Sequence, residues 1–344
     1  MDVPTDALSF AHPSTQRWFV QAFGQATHAQ QLAWPSIASG ASTLLLAPTG
    51  SGKTLSAFLV ALDKLLFGAP AAQPGTRVLY LSPLKALGVD VERNLAGPLA
   101  GIVAQAHADG VKPRVPSIGV RSGDTSARER AQLSRRPPDI LITTPESLYL
   151  LLTSQAHAGL AHVETVIVDE IHALVGTKRG AHLALSLERL ERLRRAKDPA
   201  APPLQRIGLS ATQRPLNEVA AFLGGFESPD GGALDGGMAS VPRPVAVVDT
   251  GRTKTFDLRV ELPPEVTVDP SVDPAGARAG NASIWPSVHA RLLELIQAHH
   301  TTLVFVNSRR LAERLAQAVN DLAGSEVARA HHGSISKDAR AALE

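Results

Sequence analysis

Short apolar runs alternate with stretches of helical period from residue 40 to residue 225. The runs fall at residues 43–47, 78–82, 118–121, 140–143, 166–168 and 207–209, and Val, Ile and Leu dominate them. Strands covered on both faces read this way, because neither side has to meet water. Longer segments of helical pattern, such as 55–66 and 181–195, lie between them. The alternation predicts an α/β fold, a parallel sheet with helices on both faces.

The pattern breaks between residues 227 and 286. Gly, Pro and Asp crowd into 228–235 and 269–280, and two strand-like runs, 245–249 and 256–262, stand between these loops. This places a domain boundary near residue 250, with a first domain of 1–250 and a second of 251–344. The second opens a new α/β pattern: a helix over 286–298, a strand over 303–307, a helix over 309–322 and a short strand near 327–331. By the usual size of such units that is about half a domain.

Composition narrows the function without naming it. Charged residues make up 19% of the 344 positions, and the net charge is only +2. A nucleic-acid surface would therefore be a local patch, not a global basic field. Cysteine is absent, which excludes disulfides and thiolate metal sites and suits a reducing cytoplasm. The twelve histidines show no metal-site spacing, and the neighbours His331 and His332 would diverge on a strand. No apolar run approaches the roughly 20 residues that span a bilayer. The N-terminus, with Asp2 and Asp6, lacks the apolar core of a secretion signal. The expectation is a cytoplasmic protein without membrane association.

The strongest chemical signal is Ala47-Pro48-Thr49-Gly50-Ser51-Gly52-Lys53-Thr54. It follows one predicted strand and opens a helix, the setting a phosphate-binding loop requires. Small residues let successive N–H groups point at the β- and γ-phosphates, and the helix N-terminus adds a favourable dipole. Lys53 supplies a point charge, and Thr54 offers a hydroxyl to Mg²⁺. Ala47 stands where the common pattern has its first glycine. The second signal is Val166-Ile167-Val168-Asp169-Glu170-Ile171-His172. An apolar strand ending in two carboxylates is costly unless something binds them. Asp169 can hold Mg²⁺ through water, and Glu170 can orient and deprotonate an attacking water.

The loop, the Asp-Glu-Ile-His box and Ser210-Ala211-Thr212 together resemble the superfamily-2 helicases of the DEAD/DEAH-box kind. Ser82-Pro83-Leu84-Lys85-Ala86-Leu87 resembles their motif Ia, Thr143-Thr144-Pro145-Glu146-Ser147-Leu148 motif Ib, and Leu303-Val304-Phe305-Val306-Asn307-Ser308-Arg309 motif IV. His331-His332-Gly333-Ser334, Trp34-Pro35 and Ile284-Trp285-Pro286 make the chain most similar to the large helicase-related (Lhr-type) proteins. The resemblance runs from about residue 14 to 344. It implies a RecA-like sheet followed by an incomplete second RecA-like domain, ATP and Mg²⁺ as nucleotide and cofactor, and movement 3′ to 5′ along one strand.

The same resemblance assigns roles residue by residue. Gln30, in Thr27-His28-Ala29-Gln30, stands at the adenine-reading position, with its amide donor and acceptor facing the base edge; His28 replaces the usual proline. His172, Ser210 and Thr212 couple nucleotide state to strand grip. Lys85, Arg121, Thr144 and Pro145, with Ser308 and Arg309 from the second domain, contact nucleic acid, motifs Ia and Ib lying at the opposite edge of the sheet from the phosphates' approach. Only 4% of residues are aromatic, so the grip is expected on the backbone, with weak sequence preference. Single-stranded or partly duplex DNA is favoured and RNA stays open, since backbone grips read no base. Nothing after residue 334 resembles motifs V and VI, which carry the arginine finger. The chain alone is therefore expected to bind nucleotide without unwinding on its own.

Overall fold

The computed structural model describes residues 5–69, 73–83, 85–211, 215–227, 241–251, 257–261 and 284–332, with the side chains of 5–6 and 85–90 outside that description. The chain divides into two units, Met1–Lys254 and Thr255–Glu344. No helix among the described residues is long and apolar enough to cross a membrane.

In the first unit, helices Pro13–Phe23 (α1) and His28–Ala38 (α2) precede strand Thr43–Leu46 (β1) and helix Lys53–Phe67 (α3). Val78–Leu81 (β2), Lys85–Ala108 (α4), Ile118–Arg121 (β3), Ala127–Arg135 (α5), Ile140–Thr143 (β4), Pro145–Leu152 (α6) and His157–Leu160 (α7) follow. The unit continues through Thr165–Val168 (β5), Lys178–Lys197 (α8), Gln205–Ser210 (β6) and Leu216–Gly224 (α9) to Phe226–Glu227 (β7), Val241–Pro242 (β8) and Ala246–Asp249 (β9). The main sheet runs β3-β4-β2-β5-β6-β1-β9, and every neighbouring pair in it is parallel. All seven carboxyl ends therefore share one edge, where open α/β sheets bind their ligands.

Period-two alternation sorts the strand residues between two cores. Leu45, Tyr80, Ile142, Ile167 and Ile207 pack with Trp34, Phe58 and Leu62 from α2 and α3. Leu44, Leu79, Leu141, Val166 and Val168 pack with Leu148, Leu183, Leu187 and Leu223 from α6, α8 and α9. Side chains such as Trp34, Phe58 and Leu183 are fully withdrawn from water, at about 1.5–3 kcal/mol for each large apolar group. The indole N–H of Trp34 is satisfied by the Ser56 carbonyl at 3.2 Å.

The edge strand β9 is tied down by an ionic knot. Arg243 forks onto both carboxylate oxygens of Glu188 on α8, at 2.7 Å each. Arg206 of β6 donates to the same carboxylate at 3.0 Å and to the Gly224 carbonyl at 3.0 Å. Its side chain is only 3% exposed. Gly225 turns between these groups with φ +68°, and a Cβ there would collide with Glu188 and both guanidiniums.

The second unit holds helices Trp285–Ala298 (α10) and Arg309–Ala323 (α11), which pack on each other. The expected strands over 303–307 and 327–331 do not form, and neither does the one over 256–262 within its described residues, 257–261. The reason is that a helix satisfies its own backbone, whereas a strand exists only beside a partner. Leu303 and Phe305 are 78% and 90% exposed. At 327–328 a side chain takes the place of a ladder: the Asn320 amide accepts from the N–H groups of Val327 and Ala328 at 2.8 Å and donates to the Ala328 carbonyl at 2.9 Å.

Candidate nucleotide-binding site

The phosphate-type loop hangs between β1 and α3 and is anchored at its root, where the Ala47 N–H donates to the Ser210 carbonyl at 3.1 Å. Ala47 is buried and lies outside the positive-φ region, so a methyl fits where a glycine was expected. Gly50 and Gly52 carry the turn, with φ of +80° and +81°. Gly52 caps α3 without any side-chain bond, which leaves first-turn N–H groups aimed outward, an anion site by construction. Thr49 and Gly50 form the exposed tip, Pro48, Ser51 and Thr54 are half-buried, and Lys53 is buried. The Lys53 ammonium folds back over the loop to the Ala47 carbonyl at 2.5 Å.

The start of α2 braces this loop. The Thr27 hydroxyl donates to the Ser51 carbonyl at 2.7 Å, and Thr27 and Gln30 close a reciprocal cap on their own helix. A Cβ on Gly52 would sit 2.7 Å from Gln30 Nε2, so loop glycine and glutamine amide are in direct apposition. Gln30 is 3% exposed, and its Oε1 already accepts from the Thr27 N–H at 2.8 Å. Its amide is thus shared between helix and loop, a use the adenine reading did not include. The Thr-x-x-Gln capping pattern was the signal for it.

The acid pair stands at the end of β5, next to β2 and two sheet positions from β1. Asp169 is 8% exposed. Its Oδ1 accepts from the Glu170 N–H at 2.9 Å, and its Oδ2 accepts the Tyr80 hydroxyl proton. Burial, and then the charge of Asp169, push the Tyr80 phenol far above its usual range, so it stays a donor. Glu170 adopts the left-handed region with φ 45°, alone among the described non-glycine residues, at about 1–2 kcal/mol. Its Oε2 lies 3.3 Å from His172 Nδ1, which is also 3.3 Å from the Ser210 hydroxyl. Ser210 therefore touches the loop root directly and reaches the acid pair through His172, from the strand between them. Thr212 lies outside the described residues.

The nucleic-acid candidates are less uniform. Lys85 opens α4, Arg121 ends β3, and Thr144 and Pro145 follow β4, all on the same carboxyl edge as the loop and displaced laterally by three to five strand positions. That replaces the expected opposite edge. The Lys85 side chain is outside the description. Burial, and then the charge of Arg130, lower the Arg121 pKa. Thr144 is 6% exposed and spends its hydroxyl within α6, accepting from the Ser147 N–H at 3.4 Å and donating to the Ser147 hydroxyl at 3.2 Å. Pro145 is buried as the first residue of that helix. Both residues begin α6. In the second unit Ser308 caps α11 by accepting from the Leu311 N–H at 3.2 Å, and Arg309 is exposed beside it.

The donor set suits a hard cation. The Thr54 hydroxyl and the Asp169 carboxylate are oxygen ligands of the kind Mg²⁺ takes when phosphates complete its shell. Among the described residues no three His, Asp or Glu side chains gather into a self-contained metal cage.

Comparison with known proteins agrees with this arrangement. Residues 27–219 match the DEAD/DEAH box helicase family. The Lhr helicase of Mycolicibacterium smegmatis is 46% identical over 372 residues, a span of 98% of this chain and 23% of that protein. The ATP-dependent helicase Lhr-Core protein 2 of Thermococcus barophilus is 41% identical over 334 residues, 96% of this chain and 36% of that protein. The solved structure of Mycobacterium smegmatis helicase Lhr bound to ssDNA and AMP-PNP superposes with a TM-score of 0.78 at 47% identity, covering 98% of this chain and 40% of that one. The sheet is thus RecA-like, and the chain spans roughly a quarter to two-fifths of the length of these relatives.

Proposed function

Because the chain belongs to the DEAD/DEAH box helicase family, we propose that it is the ATP-binding part of an Lhr-type DNA helicase, coupling hydrolysis to 3′-to-5′ movement along a single strand. The observation that carries this reading is the meeting of loop, acid pair and Ser210 on the adjoining strands β1, β6 and β5. The ssDNA and AMP-PNP held by the 47%-identical relative support DNA and ATP as the ligands.

Loop amides and Lys53 hold the β- and γ-phosphates of ATP. Thr54 and, through water, Asp169 would hold Mg²⁺, which would supply neutralising charge at those phosphates. Glu170 accepts a proton from the water whose oxygen attacks the γ-phosphorus as the bond to ADP breaks. His172, between Glu170 and Ser210, links that event to the rest of the edge. Lys53→Ala removes a charge-assisted phosphate contact and is expected to weaken a fluorescent ATP analogue by about tenfold or more. Equal affinity in titration would sink the assignment of the loop.

The reading of the substrate is tested by binding. Fluorescence anisotropy with single-stranded DNA and RNA, with a non-hydrolysable ATP analogue present, is expected to show DNA binding with little sequence preference. The log of the affinity should fall with log salt at about −0.7 per phosphate contact. A salt-independent affinity would refute a backbone grip, and preference for RNA would replace the DNA reading with that of an RNA helicase.

A further inference from the structure

We propose that Tyr80 is a positioning residue for Asp169, setting the carboxylate that the preceding reading gives to Mg²⁺. This inference rests on that reading.

The argument begins with register. Strands β2 and β5 are neighbours, and Tyr80 pairs with Ile167. Side chains two apart on a strand share a face, so Asp169 emerges on the face that carries Ile167 and Tyr80, one step beyond the end of β5. Asp169 continues the ladder with its N–H on the Leu81 carbonyl at 2.9 Å. The Tyr80 ring is fully buried and stacks on Phe58 of α3, with centroids 5.2 Å apart and an interplanar angle of 27°. Its hydroxyl ends on Asp169 Oδ2.

The consequence is chemical. Oδ1 is already held by the Glu170 N–H. With Oδ2 on the phenol, the carboxylate cannot rotate freely, and both donors offset the cost of burying it. Outer partners of this kind orient the groups that bind a cation and tune its affinity. Phe58 lies on the helix that opens with Lys53 and Thr54. The Phe58–Tyr80–Asp169 stack is therefore a solid connection from the phosphate-loop helix to the acid pair, passing beneath the sheet edge.

The experiment titrates Mg²⁺ into the 344-residue chain with a fluorescent ATP analogue at constant concentration, reading nucleotide binding and not turnover. Tyr80→Phe keeps the ring and removes the hydroxyl. Its Mg²⁺ midpoint is expected to rise about tenfold or more, with binding restored at saturating Mg²⁺ and binding in EDTA unchanged. Phe58→Leu, which loosens the stack and keeps the hydroxyl, is expected to lower the melting temperature with a much smaller midpoint shift. Melting curves in EDTA report the fold of each variant. An unchanged midpoint in folded Tyr80→Phe overturns the proposal, as does an equal shift in both variants, which would mark loosened packing as the cause. A parent chain whose nucleotide binding ignores Mg²⁺ would instead overturn the metal reading of Asp169, and this inference with it.

Discussion

Glu170→Gln is expected to cut ATP hydrolysis by about 10²-fold or more while leaving nucleotide affinity within a few-fold. The amide keeps the length and shape of the carboxylate and loses its ability to take a proton. The surroundings should survive the change. The Glu170 N–H still donates to Asp169 Oδ1, and the 3.3 Å contact with His172 Nδ1 can persist as a neutral hydrogen bond. Asp169 is untouched, so Mg²⁺-dependent binding should remain. Single-turnover hydrolysis beside equilibrium binding of the ATP analogue separates the two effects. Normal turnover in the variant would remove Glu170 from the role of base.

Glu188→Leu is expected to destabilise the first unit by roughly 3 kcal/mol, the low end of the cost of breaking a buried ion pair. The leucine strands Arg206, whose side chain is 3% exposed, and also releases Arg243. The low end is apt because Glu188 is itself 36% exposed and Arg206 keeps the carbonyls of Leu223 and Gly224. For a unit of this size the melting temperature should fall by roughly 6–12 °C. A pH series gives a second reading. Burial pushes the Glu188 carboxyl up, but Arg243 and Arg206 outweigh it and hold it below the usual 4.5. A depressed acid contributes stability above its unfolded pKa and loses it as pH falls through the folded value. The parent should therefore lose this contribution below about pH 4.5, and the variant should show a shallower decline there. Equal melting temperatures at neutral pH would make the knot ornamental.

Much of the sheet is legible as apolar runs because β1, β2, β4, β5 and β6 are covered on both faces, and a run buried on both sides has no polar phase to confuse it. The loop and the acid pair are legible because their chemistry is contiguous in sequence. The links between them are not. Tyr80 reaches Asp169 across 89 residues and Arg243 reaches Glu188 across 55, and an apolar-patterned strand gives no sign that one aromatic ends in a functional hydroxyl. Thr144 reads two ways in sequence: a Thr-Pro pair is at once a phosphate-contact motif and an ordinary helix start, and in the structure it caps α6. The run 303–307 misleads because a pattern of side chains describes what a strand would bury, whereas pairing decides whether a strand exists.

The left-handed backbone at Glu170 sets turnover against heat resistance. Glycine adopts that conformation without the steric cost a side chain incurs there, so replacing Glu170 by glycine would relieve about 1–2 kcal/mol of strain and remove the proposed base in the same stroke. A search that ranks substitutions by melting temperature alone would favour that change and discard the proposed activity. The acid pair is thus a place where the sturdiest sequence and the working sequence diverge, and any stabilising redesign of this sheet has to hold residue 170 constant and find its gains elsewhere.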